Sequence, residues 1–222
     1  MKIALINGSP KASGSLSGQI LQDLRERLLA HSRQTDGSAC DTDLSIYQCN
    51  KPQINQQDLW QIATCDALVF AFPLYVDSIP SHLLRCLSQM EEYLRPLSTG
   101  KEMRVYALAN CGFYEGVQNK LALNMMQNWC ARTGLIWGHG LGIGGGGMQA
   151  SILGIPDNHP MKRGLAGALN NMTRHILSGS SADHAFIDPA IPRFAYQIGG
   201  AVGWRQQIKA NGLKVKDLAL RR

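Results

Sequence analysis

The sequence predicts an α/β fold in which a parallel sheet is wound with helices on both faces. Three observations carry that expectation. Short apolar runs of strand length alternate with segments whose apolar residues recur at helical spacing. Five strands separated by helices imply parallel neighbours, because parallel strands need long crossover connections. The chain has 222 residues, 45% of them hydrophobic and 17% charged. That composition is globular, and a chain of this length buries roughly two-thirds of its unfolded surface.

The first run, "KIALIN" (Lys2 to Asn7), is short and almost continuously apolar, as expected of a strand covered on both sides. Leu16, Ile20, Leu21, Leu24 and Leu28 then recur at helical spacing, in a helix expected to end before Asp36-Gly37. "DLSIYQC" is the second strand, Asp58 to Thr64 a short helix, and "DALVFAF" (Asp66 to Phe72) the strongest strand in the chain. Pro80 suits a first helical turn, and Leu83, Leu84, Leu87, Met90 and Leu94 continue the face. "RVYALAN" (Arg104 to Asn110) is the fourth strand, followed by a helix along Val117, Leu121, Met125 and Trp129. "LIWGHGLGI" supplies a fifth strand and Met161 to Leu177 a fifth helix. There is no internal repeat and no low-complexity linker.

Composition narrows the classes of function. No apolar run approaches the ~18 residues of a membrane span, and "MKIALINGSP" turns polar too soon for a signal peptide. The expected location is the cytoplasm. The six cysteines form no C-x-x-C pair, so reduced, mostly buried thiols are expected. The six histidines lack the H-x-x-x-H spacing of a zinc site. The net charge of +6 is local: Arg205, Lys209, Lys214, Lys216, Arg221 and Arg222 face only Asp217. A nearly neutral body argues against nucleic acid as a partner.

In sheets of this kind ligands bind beyond the carboxyl ends of the strands, so the loops there are the candidates. "NGSPKASGSLSG" leads from the first strand into a helix. A helix N-terminus offers unpaired N–H groups and a partial positive charge of about +0.5. Ser9, Ser15 and Ser17 add hydroxyls, and Gly8, Gly14 and Gly18 allow close approach. These are the parts of a phosphate cradle, and equally those of a serine-rich solvent turn. The loop lacks G-x-x-x-x-G-K-[ST], which disfavours a nucleoside triphosphate, and lacks G-x-G-x-x-G. "IYQCN" ends the second strand without a carboxylate to hold an adenine ribose. One terminal phosphate fits best.

Two loops in order, "NGSPKASGSLS" after the first strand and "FAFPLYVDSIPSHL" after the third, resemble the flavodoxin-like NAD(P)H-dependent FMN reductase and flavoprotein oxidoreductase family, over roughly Met1 to Gly147. The resemblance implies a five-stranded sheet in the order 2-1-3-4-5, often in a homodimer with flavin sites near the subunit boundary. It implies that Ser9 and Ser15, Leu16 and Ser17 bind the FMN phosphate, with Lys11 nearby. Pro73, Leu74, Tyr75 and Val76 would line the flavin ring, and Asn110, Cys111, Gly112 and Phe113 its other edge. Read without the resemblance, the prolines of "PLYVDSIP" stiffen a loop whose apolar side chains suit a flat ring, or they simply end a buried strand. "NCGFYEG" offers amides, or an ordinary strand-to-helix turn.

The implied activity is hydride transfer from NAD(P)H to bound FMN, then electron transfer to a small-molecule or protein acceptor. It requires no side-chain acid or base, so no catalytic residue is assigned. An FMN-binding electron carrier or a redox-responsive partner-binding protein are the alternatives. Replacing Ser15 and Ser17 is expected to weaken FMN binding while leaving the flavin-free protein stable. Dispersed cysteines disfavour an iron–sulfur cluster.

"GLGIGGGGM" contains G-x-G-x-x-G at Gly142, Gly144 and Gly147, but Pro156 and Pro160 are read as following in place of a helix. The expectation is a lid, backbone close to flavin or nicotinamide, or a solvated hinge. The domain is expected to span residues 1–180, with a basic extension over 181–222. In that extension Phe194, Ile198 and Val202 share one helical face beside Trp204. Packing on the domain or a sister subunit competes there with an acidic or nucleic-acid partner and with an anionic membrane surface.

Overall fold

The computed structural model describes residues 1–34, 42–96 and 102–219. The elements follow in order: β1 (Lys2–Asn7), α1 (Leu16–Gln34), β2 (Asp43–Gln48), α2 (Gln56–Ala63), β3 (Ala67–Pro73), α3 (Ser81–Leu94) and β4 (Arg104–Asn110). A 3-10 turn (Gly116–Asn119) leads into α4 (Lys120–Thr133), then β5 (Ile136–Ile143), α5 (Gly146–Ile152), α6 (Arg163–Ser178), β6 (Ala185–Ile187) and α7 (Arg193–Ala210). The sheet order is β2-β1-β3-β4-β5-β6, parallel throughout.

The order expected for the first five strands is present, and the strand count is corrected to six. "AFI" (Ala185 to Ile187) is too short to show periodicity. Only its pairing with Leu141, Gly142 and Ile143 makes it a strand. The end of α1 near Asp36-Gly37 lies outside the described residues, as do Arg221 and Arg222 of the basic tail.

Alternation along the strands separates two apolar cores. Ala4 and Ile6 face α2, α3 and α4, whereas Ile3 and Leu5 face α1 and α6. This is why β1 and β3 are apolar throughout. The expected faces of α1 and α3 are buried at Ile20, Leu21, Leu24, Leu28 and at Leu83, Leu87, Met90, Leu94, whereas Leu84, expected on the α3 face, is exposed. The stripe expected from Val117 to Trp129 needs correction. Val117 and Leu121 are exposed, and the buried face runs through Ala122, Leu123, Met126, Trp129 and Cys130. Residues four apart drift by about 40° per step around a helix, so a strict four-residue series leaves the buried side.

The glycine run also differs from its expectation. A short helix, α5, does follow it, and Gly142 to Gly146 are buried. The amides of Gly145 and Gly146 donate to the carbonyls of Phe113 and Cys111 at 2.6 and 2.8 Å. The run is therefore neither a lid nor a solvated hinge. It packs under the loop after β4. In the tail, Phe194, Ile198, Val202 and Trp204 of α7 are all exposed. Among the described residues no helix is long and apolar enough to cross a membrane.

Candidate functional site

The carboxyl ends of β1, β3 and β4 adjoin in the sheet, so three loops that are distant in sequence open at one edge. The first loop is built around Asn7, the last residue of β1. Its side chain is 3% exposed; Oδ1 accepts from the Ser9 amide at 3.1 Å, and Nδ2 donates to Ser15 Oγ at 3.4 Å. Ser9 Oγ in turn accepts from the Lys11 amide at 3.3 Å. Gly14 takes φ +65°, a left-handed conformation that turns the chain into α1. Ser15 then caps the helix, its Oγ accepting from the Gly18 amide at 3.1 Å.

Those bonds leave the backbone N–H groups of Ser13, Gly14, Ser15, Leu16 and Ser17 with no acceptor among the described residues. They converge where the helix dipole is positive. The hydroxyls of Ser9, Ser15 and Ser17 sit beside them, 3%, 6% and 1% exposed, while Lys11 stands exposed at the rim. Leu16 is half-buried.

Asn110, the last residue of β4, knits the three loops together. Its Oδ1 accepts from Ser17 Oγ at 2.8 Å, and its backbone carbonyl accepts from the Leu74 amide at 2.8 Å. The second loop leaves Pro73, half-buries Leu74 and makes a tight hairpin. Tyr75 and Ser78 exchange N–H···O bonds of 3.0 and 3.1 Å. Val76 and Asp77 between them adopt φ 49° and 57°, a strained state for residues other than glycine, and of order 1–3 kcal/mol each. Val76 is 97% exposed and Tyr75 47%. Strain at an exposed tip, held by two backbone bonds, marks a loop shaped for something other than packing.

In the third loop Cys111 is buried, and Gly112 and Phe113 are exposed. Burial raises the Cys111 thiol, partly offset by a backbone hydrogen bond at Phe113 and the Asn119 amide nitrogen 3.3 Å away. A raised thiol pKa keeps Cys111 protonated, so it packs rather than attacks. The tail reaches this loop as well. Tyr196 Oη donates to the Gly112 carbonyl at 2.7 Å, Tyr114 Oη donates to the Ile191 carbonyl at 2.7 Å, and Arg193 pairs with Glu115 at 2.6 Å.

All the candidate residues thus stand at one edge of the sheet, with Ser17, Asn110 and Leu74 bonded in series. The sequence reading missed Asn7 as the centre of the first loop, although an Asn closing a strand before Gly-Ser is a visible signal. It also missed His82, whose Nε2 lies 3.1 Å from the Gly8 carbonyl, and Tyr196, which acts across 84 residues and has no local signal. Ser15 and Ser17 correct a further expectation. Both make bonds that hold the protein itself, so their replacement is expected to lower the stability of the flavin-free protein.

Among the described residues no group of three His, Cys, Asp or Glu side chains is placed to hold a metal. The residues do fit a phosphate monoester: five unpaired amides, the free hydroxyl hydrogens of Ser9 and Ser15 and a lysine at the rim give this loop donors in excess.

No family model and no curated relative matches the chain. Solved structures do. The apo form of an NADH:FMN oxidoreductase is similar over 87% of this chain and 97% of its own, at a TM-score of 0.57 and 18% identity. The fold is flavodoxin-like. An NAD(P)H:quinone oxidoreductase from Methanothermobacter marburgensis is similar over 79% of this chain and 96% of its own, at a TM-score of 0.55 and 14% identity. An NADPH-quinone reductase from P. pentosaceus covers 78% and 98%, at a TM-score of 0.50 and 13% identity. At these identities the likeness is one of fold.

Proposed function

We propose that this flavodoxin-like chain is an FMN-dependent NAD(P)H oxidoreductase of the flavoprotein reductase family. The observation that carries the reading is the set of unpaired amides from Ser13 to Ser17, beside three buried hydroxyls and bonded through Ser17 and Asn110 to the other two loops. Oxidoreductases of like fold whose names include NADH, FMN, NAD(P)H and quinone support it.

The first loop would hold the FMN phosphate through the amides of Ser13 to Ser17, the hydroxyls of Ser9 and Ser15, and that of Ser17 once it turns from Asn110 Oδ1 to the phosphate, with Lys11 adding charge at the rim. Pro73 to Val76 and Asn110 to Phe113 would border the ring. FMN, when bound, supplies the hydride acceptor for NAD(P)H and the electron donor for a quinone, flavin or other acceptor. The chain's own contribution is positional. The unpaired amides and the Ser15 hydroxyl, fixed by the Asn7 network and the start of α1, need no rearrangement to meet a dianion. Leu74, Tyr75 and Phe113 offer apolar surface that displaces water from a flat ligand.

The purified protein is expected to be yellow, to sediment as a homodimer, and to release FMN rather than FAD on denaturation. Chromatography of the released flavin checks this, and FAD or no flavin would sink the reading. Anaerobic addition of NADH or NADPH is expected to bleach the colour. A yellow protein that neither nucleotide bleaches would instead be an electron carrier.

A further inference from the structure

The loop after β4 has an orientation that its own residues do not set. The carbonyls of Cys111 and Phe113 accept from the Gly146 and Gly145 amides at 2.8 and 2.6 Å. The carbonyl between them, that of Gly112, accepts from Tyr196 Oη at 2.7 Å. A trans peptide is planar, with its C=O and N–H pointing opposite ways, and no cis bond occurs among the described residues. Holding three successive carbonyls therefore fixes three amides, those of Gly112, Phe113 and Tyr114. None of the three amides has an acceptor among the described residues. The outer two peptides are held by the buried glycine run, but the middle one depends on the tail. Gly112 and Phe113 are exposed, and nothing lies within 4 Å of where a Gly112 Cβ would stand. Among the described residues no other donor meets the Gly112 carbonyl.

We propose that Tyr196 is a positioning residue of this site: its bond to the Gly112 carbonyl turns the Phe113 N–H away from α7, as a donor to the ring of a bound flavin. The ligand named here rests on the FMN reading above.

Tyr196 is itself held in place by the loop it positions. Its ring meets that of Tyr114 edge-on, with centroids 5.7 Å apart. Arg193, one turn earlier in α7, pairs with Glu115 at 2.6 Å, and Tyr114 Oη donates to the Ile191 carbonyl at 2.7 Å. The start of α7 is thus tied to the loop at Gly112, Tyr114 and Glu115. Burial raises the Tyr196 hydroxyl above its ordinary value, so it remains a donor through the neutral range. An amide directed at a flavin ring matters most after reduction, when the ring carries more negative charge. Losing that donor lowers affinity for reduced FMN more than for oxidised FMN, and by linkage makes the bound flavin harder to reduce.

The test is Tyr196→Phe in the full chain, which removes the hydroxyl and keeps the ring against Tyr114. Oxidised and reduced FMN are titrated into parent and variant. The midpoint potential of the bound flavin, the melting of the apoprotein and the backbone amide resonances are compared between the two. Binding of reduced FMN is expected to weaken about three- to tenfold, roughly the worth of one net hydrogen bond. The loss for oxidised FMN should be smaller, the potential more negative, the apoprotein melting little changed and the Phe113 amide resonance displaced. Equal losses for the two forms, with an unmoved potential, would make Tyr196 a structural tie and overturn the proposal. Unchanged binding overturns it as well. If the parent takes up neither form, the FMN reading fails and the named ligand with it. The Phe113 resonance still decides the positioning in that case: unmoved by the substitution, it overturns that too.

Discussion

Helix α1 carries two polar clusters, one at its N-terminus and one at its middle, and the two are built on opposite plans. At its N-terminus Asn7, Ser9, Ser15, Ser17 and Asn110 are uncharged, and their bonds leave five amides without an acceptor. Two turns further on, Asp23 pairs with Arg27 at 2.7 Å, Arg27 with Asp157 at 2.8 Å, and Lys162 with Asp157 at 3.1 Å. Lys162 also reaches Asp23 at 3.7 Å and the Leu153 carbonyl at 2.7 Å, and Arg27 donates to Asn170 at 2.6 Å. This second cluster has two acids and two bases, so its charges balance within it, although Asp23 Oδ2 has no hydrogen-bond partner. It is a clasp that holds the segment between α5 and α6 against α1. The first has donors in excess, which the proposed FMN phosphate would satisfy. Charge alone would have pointed to the middle of the helix rather than its start.

Three perturbations separate the clusters, and the largest effect belongs to the first. Ser15→Ala with Ser17→Ala is expected to weaken FMN binding by about 2–4 kcal/mol, taking ~1–2 for each bond to a charged group. That is a loss of roughly thirtyfold or more. The flavin-free protein should also lose about 1–3 kcal/mol, through the missing helix cap and the unpartnered Asn110 Oδ1. Flavin titration and melting of the apoprotein measure the two losses. Unchanged affinity would strip the first cluster of its ligand role.

Lys162→Met is expected to do the reverse, lowering stability and leaving FMN affinity alone. Lys162 is 6% exposed, and its removal leaves Asp23 and Asp157 to share Arg27. The cost should be about 2–3 kcal/mol, below the ~3–5 of a fully buried pair because the Asp157 side chain is 46% exposed. At ~2–4 °C per kcal/mol for a chain of this size, the Tm falls by roughly 4–12 °C. An equal fall in FMN affinity would mean that the clusters form one site.

The smallest effect is the response to acid. Burial tends to raise the Asp157 carboxyl, but hydrogen bonds from Lys162 and Arg27 outweigh it and hold the group below its ordinary value. A depressed carboxyl contributes stability above its unfolded pKa, near ~3.9, and loses it as pH falls through the lower folded value. Apoprotein melting from pH 6 downward, as an experimental series, should therefore show a decline below about pH 4. Asp157→Asn should flatten that decline. An identical acid profile in the variant would remove Asp157 from the clasp's energetics.

Much of the candidate site is legible in local sequence, because its parts are local. A strand followed by Gly-Ser-Pro and a serine-rich helix start describes a cradle before any contact is known, and the Ser15 cap obeys spacing alone. The Ser17–Asn110 bond, across 93 residues, is not legible, since nothing near either residue names the other. The Val76 strain is equally silent: a β-branched residue is the last that composition would place at positive φ, although Asp77 beside it is of a type that tolerates it.

The alternation of apolar runs with helical periods was enough to determine the α/β class and the first five strands, because each strand covered on both faces must be apolar along its length. It also determined which loops share an edge, since parallel strands all end on the same side. Tertiary structure alone decided the sixth strand, the burial of the glycine run and the placing of Cys111 beside it. In each case the stabilising partner is far away in sequence, and a three-residue strand, a glycine or a thiol carries no pattern of its own.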